Sequence, residues 1–250
     1  MTQEFTKYRE RGAYHWRELS RHPIYGWPYT RSRVEWVVRQ CVPCMTILEI
    51  GCGDGAILGK LAKAGKDVTG VDSDETALRL ARQIFDRRGL AGEFHADLSS
   101  VKAEQFDAVI LAEVIEHLAD AESLIAEIPG FLPDSGRLVL TTPIRLLERS
   151  HDVHHVHEFW PEELKGLLSR YFEEVQVMRM HPVWLVDLLC FGRKGIRPVA
   201  VFANLLKLCT GLELIDLFQS PLSIYWTQAI VATVPRRDGS RARSPKRGVS

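Results

Sequence analysis

The sequence predicts an α/β protein built on a doubly wound, mostly parallel sheet. From residue 44, short apolar runs alternate with amphipathic stretches. The runs are uninterrupted rather than alternating, as expected of strands covered on both faces. A glycine-rich turn separates the first run from the first amphipathic stretch, a strand–turn–helix arrangement that repeats down the chain.

Each element follows from its local pattern. Residues 47–50 read as a strand and 56–64 as a helix; 67–71 is a second strand and 75–87 a second helix. A weaker third strand covers 92–96, and a fourth, 106–112, leads into a helix ending near 127. Strand 136–142, helix 161–171 and strands 175–180 and 225–234 complete the count. Residues 1–43 form a separate aromatic-rich unit, with Tyr8, Tyr14, Trp16, Tyr25, Trp27 and Tyr29 beside His15 and His22. Tyr14, His15, Trp16 and Trp27 are expected to cover a ligand and exclude water as a lid. The core spans 44–180, an apolar helical insertion spans 181–224, the last core strand spans 225–234, and a basic tail expected to be disordered spans 235–250.

Composition excludes several classes. The 250 residues are 46% apolar and 26% charged with zero net charge, which argues against a dedicated nucleic-acid binder. That neutrality is a sum of two parts, a tail of +5 from Pro235 to Ser250 and a body of −5. The first residues lack the apolar core of a secretory signal, and no charge-free run approaches the roughly 20 residues of a membrane helix. Five cysteines, an odd number, read as thiols of a reducing cytoplasm. Cys41 and Cys44 have redox or metal spacing, but Cys44 runs directly into a strand and no second pair completes a zinc site.

The chemistry concentrates in three places. The first is the turn from Glu49 through Gly51, Gly53 and Gly55, which lets the backbone approach a ligand just before a helix N-terminus. Asp72 follows the second strand, where a carboxylate can take both ribose hydroxyls, and Asp97 with Leu98 follows the third. The second is Glu113, Glu116 and His117, which share one face if the segment is helical and would suit Mg²⁺ or Mn²⁺. The third is the run from His151 to Trp160, with four of the nine histidines in seven residues; His154, His155 and His157 join His117 as candidate bases or ligands.

The acidic residue followed by G-x-G-x-G, with the acids after later strands, resembles the class I S-adenosylmethionine-dependent methyltransferases over residues 45–180. The resemblance implies a Rossmann-like sheet of seven strands whose last two form an antiparallel hairpin. It implies S-adenosylmethionine as cofactor, with Gly51, Gly53 and Gly55 on its methionine part, Asp72 on the ribose, and Asp97 and Leu98 on the adenine. The Glu-x-x-Glu-His stretch is similar to that of the ubiquinone-biosynthesis O-methyltransferases. It is also similar to that of the small-RNA 2′-O-methyltransferases, whose later His-containing element His157-Glu158-Phe159-Trp160 matches only approximately. Many metal-free relatives also carry Glu-His-Leu at this point, where the acids favour a helix N-terminus electrostatically and the imidazole merely packs or hydrogen-bonds. The expected activity is O-methylation of a small-molecule hydroxyl: a phenol, a quinone precursor or a sugar, lipid-linked in one version. RNA 2′-O-methylation, a cofactor-binding protein without turnover, and an NAD-dependent oxidoreductase are the alternatives. The third glycine comes one position too early for the nicotinamide fingerprint. The insertion, apolar at 25 of 44 positions, suits a lipophilic substrate tunnel, a homodimer face or shallow membrane attachment.

Overall fold

The computed structural model describes residues 7–20, 27–101, 105–146, 154–188, 197–212, 214 and 223–236. Three helices precede the sheet: α1 (Lys7–Arg11), α2 (Tyr14–Ser20) and α3 (Pro28–Gln40). The core then runs β1 (Thr46–Ile50), α4 (Ala56–Lys63), β2 (Asp67–Val71), α5 (Glu75–Arg88), β3 (Glu93–His95), β4 (Ala108–Ala112), α6 (Ala121–Glu127) and β5 (Arg137–Pro143). It continues with α7 (Pro161–Leu168), β6 (Phe172–Pro182), α8 (Val183–Val186), α9 (Arg197–Thr210) and β7 (Tyr225–Pro235).

The seven strands are ordered β3-β2-β1-β4-β5-β7-β6. Strands β1 to β5 are parallel, and β7 runs antiparallel to both β5 and β6. The uninterrupted apolar runs have a direct physical cause. Alternate residues of one strand feed opposite faces, so both parities must be apolar. Leu48, Val109, Leu111, Leu138 and Leu140 pack under α6 and α7, whereas Ile47, Ala108, Ile110 and Val139 pack under α3, α4 and α5.

Two element boundaries depart from expectation. The helix expected directly after β4 begins only at Ala121, where the Asp120 carboxylate caps it by accepting from the Ser123 amide at 2.9 Å. The residues before it form a short 3₁₀ turn, Ile115–His117, and Glu113 takes a left-handed φ of 59°. Glu113, Glu116 and His117 therefore do not share an α-helical face, which corrects the helix-based spacing argument. The strand expected at 175–180 extends to eleven residues because β7 pairs with it from Phe172 to Pro182. The tail beyond Arg236 and the insertion residues 189–196 lie outside the described residues.

Candidate functional site

The chain reverses direction across the sheet at β1, whose neighbours are β2 and β4. A ligand crevice forms at the carboxyl ends of strands at such a switch point. Here a cavity of about 1090 Å³ opens there, lined by Glu49, Gly51, Asp72, Glu113, Glu116, His117 and His155 among others.

The glycine turn forms one wall. Gly51 and Cys52 donate their amides to the Val71 carbonyl at 2.7 and 3.0 Å, tying the turn to the end of β2. Gly51, Gly53 and Gly55 all take left-handed φ angles, 74°, 55° and 73°. Gly53 is constrained twice: its φ disfavours any side chain, and a β-carbon would collide with the Tyr8 hydroxyl. Its amide donates to Asp72 Oδ2 at 2.7 Å, while the Asp74 amide donates to Asp72 Oδ1 at 2.8 Å. Asp72 is thus oriented by backbone, and each oxygen keeps a lone pair for a diol. Glu49 is buried, and among the described residues its Oε2 has no hydrogen-bond partner. Burial, then the charges of Asp54 and Asp72, pushes its carboxyl well above the usual range. Three acids crowded on one wall are the electrostatic complement of a cation.

Asp97 and Leu98 stand elsewhere. The exposed Asp97 carboxylate accepts from the Ser100 amide at 3.0 Å and from the hydroxyls of Ser99 and Ser100, and these bonds lower its pKa. Neither residue lines the cavity.

The N-terminal helices cover the turn. Asp54, fully buried, accepts from the amides of His15 and Trp16 at 3.0 and 3.5 Å, and its backbone carbonyl accepts from the Trp16 indole at 2.5 Å. Tyr8 hydrogen-bonds His15 Nδ1 at 3.2 Å, and Tyr8, Tyr14 and His15 all line the cavity. Burial, then Asp54, pushes the Tyr14 phenol up to about 12. Trp16 does not face the cavity: it is a core residue, edge-on to Phe85 at 6.3 Å, with the Arg88 guanidinium over its ring. Trp27, half exposed, precedes α3 and is not among the cavity-lining residues. Of the four residues expected to cover a ligand, Tyr14 and His15 line the cavity, whereas Trp16 packs in the core and Trp27 is not among the lining residues.

Acids and imidazoles form the opposite wall. The left-handed backbone at Glu113 aims its carboxylate at Arg33 of α3, with a 2.7 Å ion pair. Glu116, fully buried, accepts from the Thr142 hydroxyl at 2.9 Å through Oε2, while its Oε1 has no hydrogen-bond partner among the described residues. Burial first, and the nearby Glu113 second, raises the Glu116 carboxyl well above the usual range. The Glu116 carbonyl also accepts from the amides of Val156 and His157 at 2.7 and 3.1 Å, holding the histidine-rich loop against it. The backbone carbonyl of Phe159 accepts from Gln228 of β7 at 2.9 Å, which fixes the far end of the loop.

This anchoring sorts the histidines. His117 Nδ1 donates to the His154 carbonyl at 3.0 Å, and His155 Nδ1 donates to the buried Glu158 carboxylate at 2.7 Å. Both acceptors lack protons to give, so both rings carry hydrogen on Nδ1 and keep a lone pair on Nε2. The two rings meet edge to face at 4.9 Å. His154 contributes its carbonyl, whereas His157 turns outward to Glu163 of α7 at 2.8 Å and does not line the cavity. One ligand atom each from Glu116, His117 and His155 lie within 4.8 Å of one another. The trio that could hold a cation therefore replaces Glu113 with His155, because Arg33 claims Glu113.

From sequence, Tyr8 stands out only as one of several N-terminal aromatics and Glu158 only inside the His157–Trp160 element, and neither Asp54 nor Arg33 is singled out. Arg33 and Glu158 become visible only when α3 and the loop before α7 reach β4. The position of Asp54 inside the glycine turn was the one local signal available.

The family profile described as a methyltransferase domain matches residues 48–140. The chain is similar to the ubiquinone biosynthesis O-methyltransferase of Bordetella avium, 30% identical over 116 residues covering 44% of this chain and 48% of that protein. It is also similar to that of Pseudomonas paraeruginosa, 32% identical over 115 residues covering 44% of this chain and 50% of that protein. The chain spans about half the length of these curated relatives. Among solved structures, a SAM-dependent methyltransferase from Archaeoglobus fulgidus aligns with a TM-score of 0.60 at 19% identity, covering 88% of this chain and 100% of that one. Haemonchus contortus phosphoethanolamine N-methyltransferase 2, solved with S-adenosyl-L-methionine, aligns at 0.61 and 16% identity, covering 91% of this chain and 58% of that one. Sheet order, glycine turn and profile point the same way: residues 48–140 match a methyltransferase domain, and the seven-stranded sheet has the fold of the S-adenosylmethionine-dependent methyltransferase structures it aligns with.

Proposed function

We propose that this chain transfers the methyl group of S-adenosylmethionine to a hydroxyl of a small molecule: a phenol, a quinone precursor or a sugar. One observation carries the reading. A single cavity is lined by the acid-rich glycine turn at one side and by two imidazoles, His117 and His155, whose Nδ1 atoms are engaged by the protein, at the other. The names of the O-methyltransferase relatives agree with a hydroxyl acceptor.

Glu49, the glycine turn and Asp72 would hold the cofactor, whose ammonium and sulfonium charges offset the crowded carboxylates. Asp72 would take the ribose diol through its two remaining lone pairs. When bound there, S-adenosylmethionine would supply an electrophilic methyl group to the acceptor oxygen and leave as a neutral thioether, its C–S electron pair staying on sulfur. The hydroxyl proton passes to Nε2 of His155 or His117, and the positive charge so formed is stabilised by Glu158 or the His154 carbonyl. Positioning of this kind can supply ~7–11 kcal/mol of the barrier reduction, and a general base a further ~10²–10⁴-fold.

The test is production of the demethylated cofactor from purified chain, S-adenosylmethionine and a panel of catechols, hydroxybenzoates and sugars. Expected is turnover with a phenolic acceptor and a loss of about 10²–10⁴-fold in kcat for His155→Ala. Tight cofactor binding with no turnover on any acceptor would leave a binding protein, and tight binding of NAD alone would sink the reading.

A second reading rests on the ligand atoms of Glu116, His117 and His155 within 4.8 Å. One carboxylate and two imidazoles suit Mn²⁺ better than Mg²⁺. A divalent ion held there would lower the pKa of an acceptor hydroxyl. Calorimetric titration of Mn²⁺ into the protein and into His155→Ala, with activity measured in EDTA, decides it. Full activity in EDTA and no Mn²⁺ heat would remove the metal. RNA methylation rests on the metal motif and on the basic residues after Pro235, of which residues 237–250 lie outside the described residues.

A further inference from the structure

Among the described residues three that are not glycine take a left-handed backbone: Glu113, His181 and Val234. Two of them stand at opposite ends of one chain of contacts. Glu113 pairs with Arg33 at 2.7 Å, and the Arg33 guanidinium lies over the Tyr29 ring, 5.5 Å from its centre. Tyr29 shares a 3.0 Å hydrogen bond with the Thr227 hydroxyl, which also bonds His181 Nδ1 at 3.1 Å. His181 Nε2 returns to the Ser32 hydroxyl of α3 at 3.1 Å. Backbone strain persists where the surroundings over-determine it, and it gathers at functional sites. Here it accompanies a guanidinium held in place by α3 and by the β6–β7 hairpin, and Arg33 lines the large cavity.

Two carboxylates share that wall. Glu113 and Glu116 line the same cavity, and one oxygen of each is taken, Glu113 Oε2 by Arg33 and Glu116 Oε2 by Thr142. The other oxygen of each, Oε1, is buried without a hydrogen-bond partner among the described residues, and Glu116 is buried as a whole. Buried acceptors of this kind are normally satisfied, so these two point to a donor or a cation beside them. Arg33 is close enough to feel both acids: burial lowers its pKa, yet Glu113, Tyr29 and Glu116 outweigh that and raise it. A guanidinium and a divalent ion make rival claims on a carboxylate. The first donates fixed N–H groups with one positive charge, and the second needs the oxygen lone pairs themselves. While Arg33 pairs with Glu113, its hydrogen bond occupies Oε2 and its charge repels a second cation.

We propose that Arg33 is the built-in counter-ion of this wall and sets its demand for a divalent cation. By claiming Glu113 it limits the cation cluster to Glu116, His117 and His155, whose ligand atoms lie within 4.8 Å of one another. Without the guanidinium, the same wall becomes a four-ligand Mn²⁺ site that includes Glu113. The deciding residue lies on α3, outside the 48–140 stretch that matches the methyltransferase profile. The proposal rests on the cation reading of the cluster and not on methyl transfer.

The test counts free Mn²⁺ by electron paramagnetic resonance as the full chain is titrated with Mn²⁺ alone. Four proteins are compared: the parent, Arg33→Met, Arg33→Lys and the double variant Arg33→Met/Glu113→Gln. Expected is an Mn²⁺ affinity higher by about tenfold or more in Arg33→Met than in the parent. Arg33→Lys, which keeps the charge beside Glu113, should stay near the parent, and the double variant should lose the gain. Arg33→Met leaves Glu113 without its partner, so a lower melting temperature is expected for it. Added Mn²⁺ should recover that loss in Arg33→Met and leave the melting temperature of the double variant unchanged, a readout that holds even where the variant is only partly folded. Equal Mn²⁺ affinity in parent and Arg33→Met, with no recovery of the melting temperature, overturns the proposal. So does an equal gain in the double variant, which would make the effect one of charge removal without Glu113 as a ligand, and so does an equal gain in Arg33→Lys. No turnover enters these measurements, so their failure is distinct from a failure of the methyl-transfer reading, which is judged by production of the demethylated cofactor.

Discussion

Glu158 shows how a single residue can act through another. It is 4% exposed, and its bond to His155 Nδ1 fixes which imidazole nitrogen carries the proton. Glu158→Gln keeps the shape but removes the charge that stabilises a protonated His155. The expected result is a kcat lower by about 10–100-fold with S-adenosylmethionine affinity unchanged, and a displaced acid limb of the kcat–pH profile. A purely structural role would lower stability and leave that profile in place. Glu116 presents the opposite balance. Its carboxyl is raised by burial and by Glu113, so the folded protein resists its ionisation. Glu116→Gln should raise the stability of the cofactor-free protein at alkaline pH by about 1–3 kcal/mol while lowering activity, measurable by denaturant titration beside turnover.

Among elements, α2 shows how the N-terminal helices are fastened over the glycine turn. Its hold depends on Trp16, seated where Gly59 of α4 lacks a side chain, and on Asp54 of the glycine turn. Gly59→Ala is the informative change: on an isolated helix it gains about 1 kcal/mol of propensity, but here the new β-carbon would overlap the Trp16 ring. The expected outcome is faster proteolysis of α1 and α2 and faster cofactor release, with α4 intact. Trp16→Ala should cost about 3–5 kcal/mol as a truncated core aromatic, read by thermal unfolding. Legibility differed between elements for the same physical reason. Strands and the glycine turn were readable because burial on both faces and a left-handed backbone leave local marks. The segment after β4 was not, since Glu113-Val114-Ile115-Glu116-His117 has helical spacing, yet its backbone answers to Arg33 and to the loop at Val156. Asp97 follows its strand as expected, but its neighbours Ser99 and Ser100 occupy the carboxylate.

For the molecule as a whole, buried titratable groups set opposing pH limits. His181, buried between Ser32 and Thr227, has its pKa lowered to about 3 by burial and then by Arg33. Between the ordinary 6.5 and that value the unfolded chain binds a proton that the folded chain refuses, so stability falls as pH drops through this window. Glu49 and Glu116 have raised pKa values, so the folded chain retains protons that the unfolded chain releases above the ordinary 4.5. Their contribution is complete below that value and is lost as pH rises through the raised pKa. Thermal unfolding across pH should therefore show a maximum, with the acid limb flattened by His181→Asn and the alkaline limb by Glu116→Gln. A cationic ligand at the glycine turn should bind more tightly as pH rises, because it favours ionised Glu49. The sequence by itself determined the sheet, the glycine turn and the Asp72 position, since these arise from residues close in the chain whose burial and backbone angles are locally dictated. Only the tertiary structure decided that Arg33 takes Glu113, that Glu158 orients His155, and that Trp16 belongs to the core. Those pairings join residues about 80, 3 and 43 positions apart, yet even the short one depends on where the loop is pinned by Glu116 and Gln228.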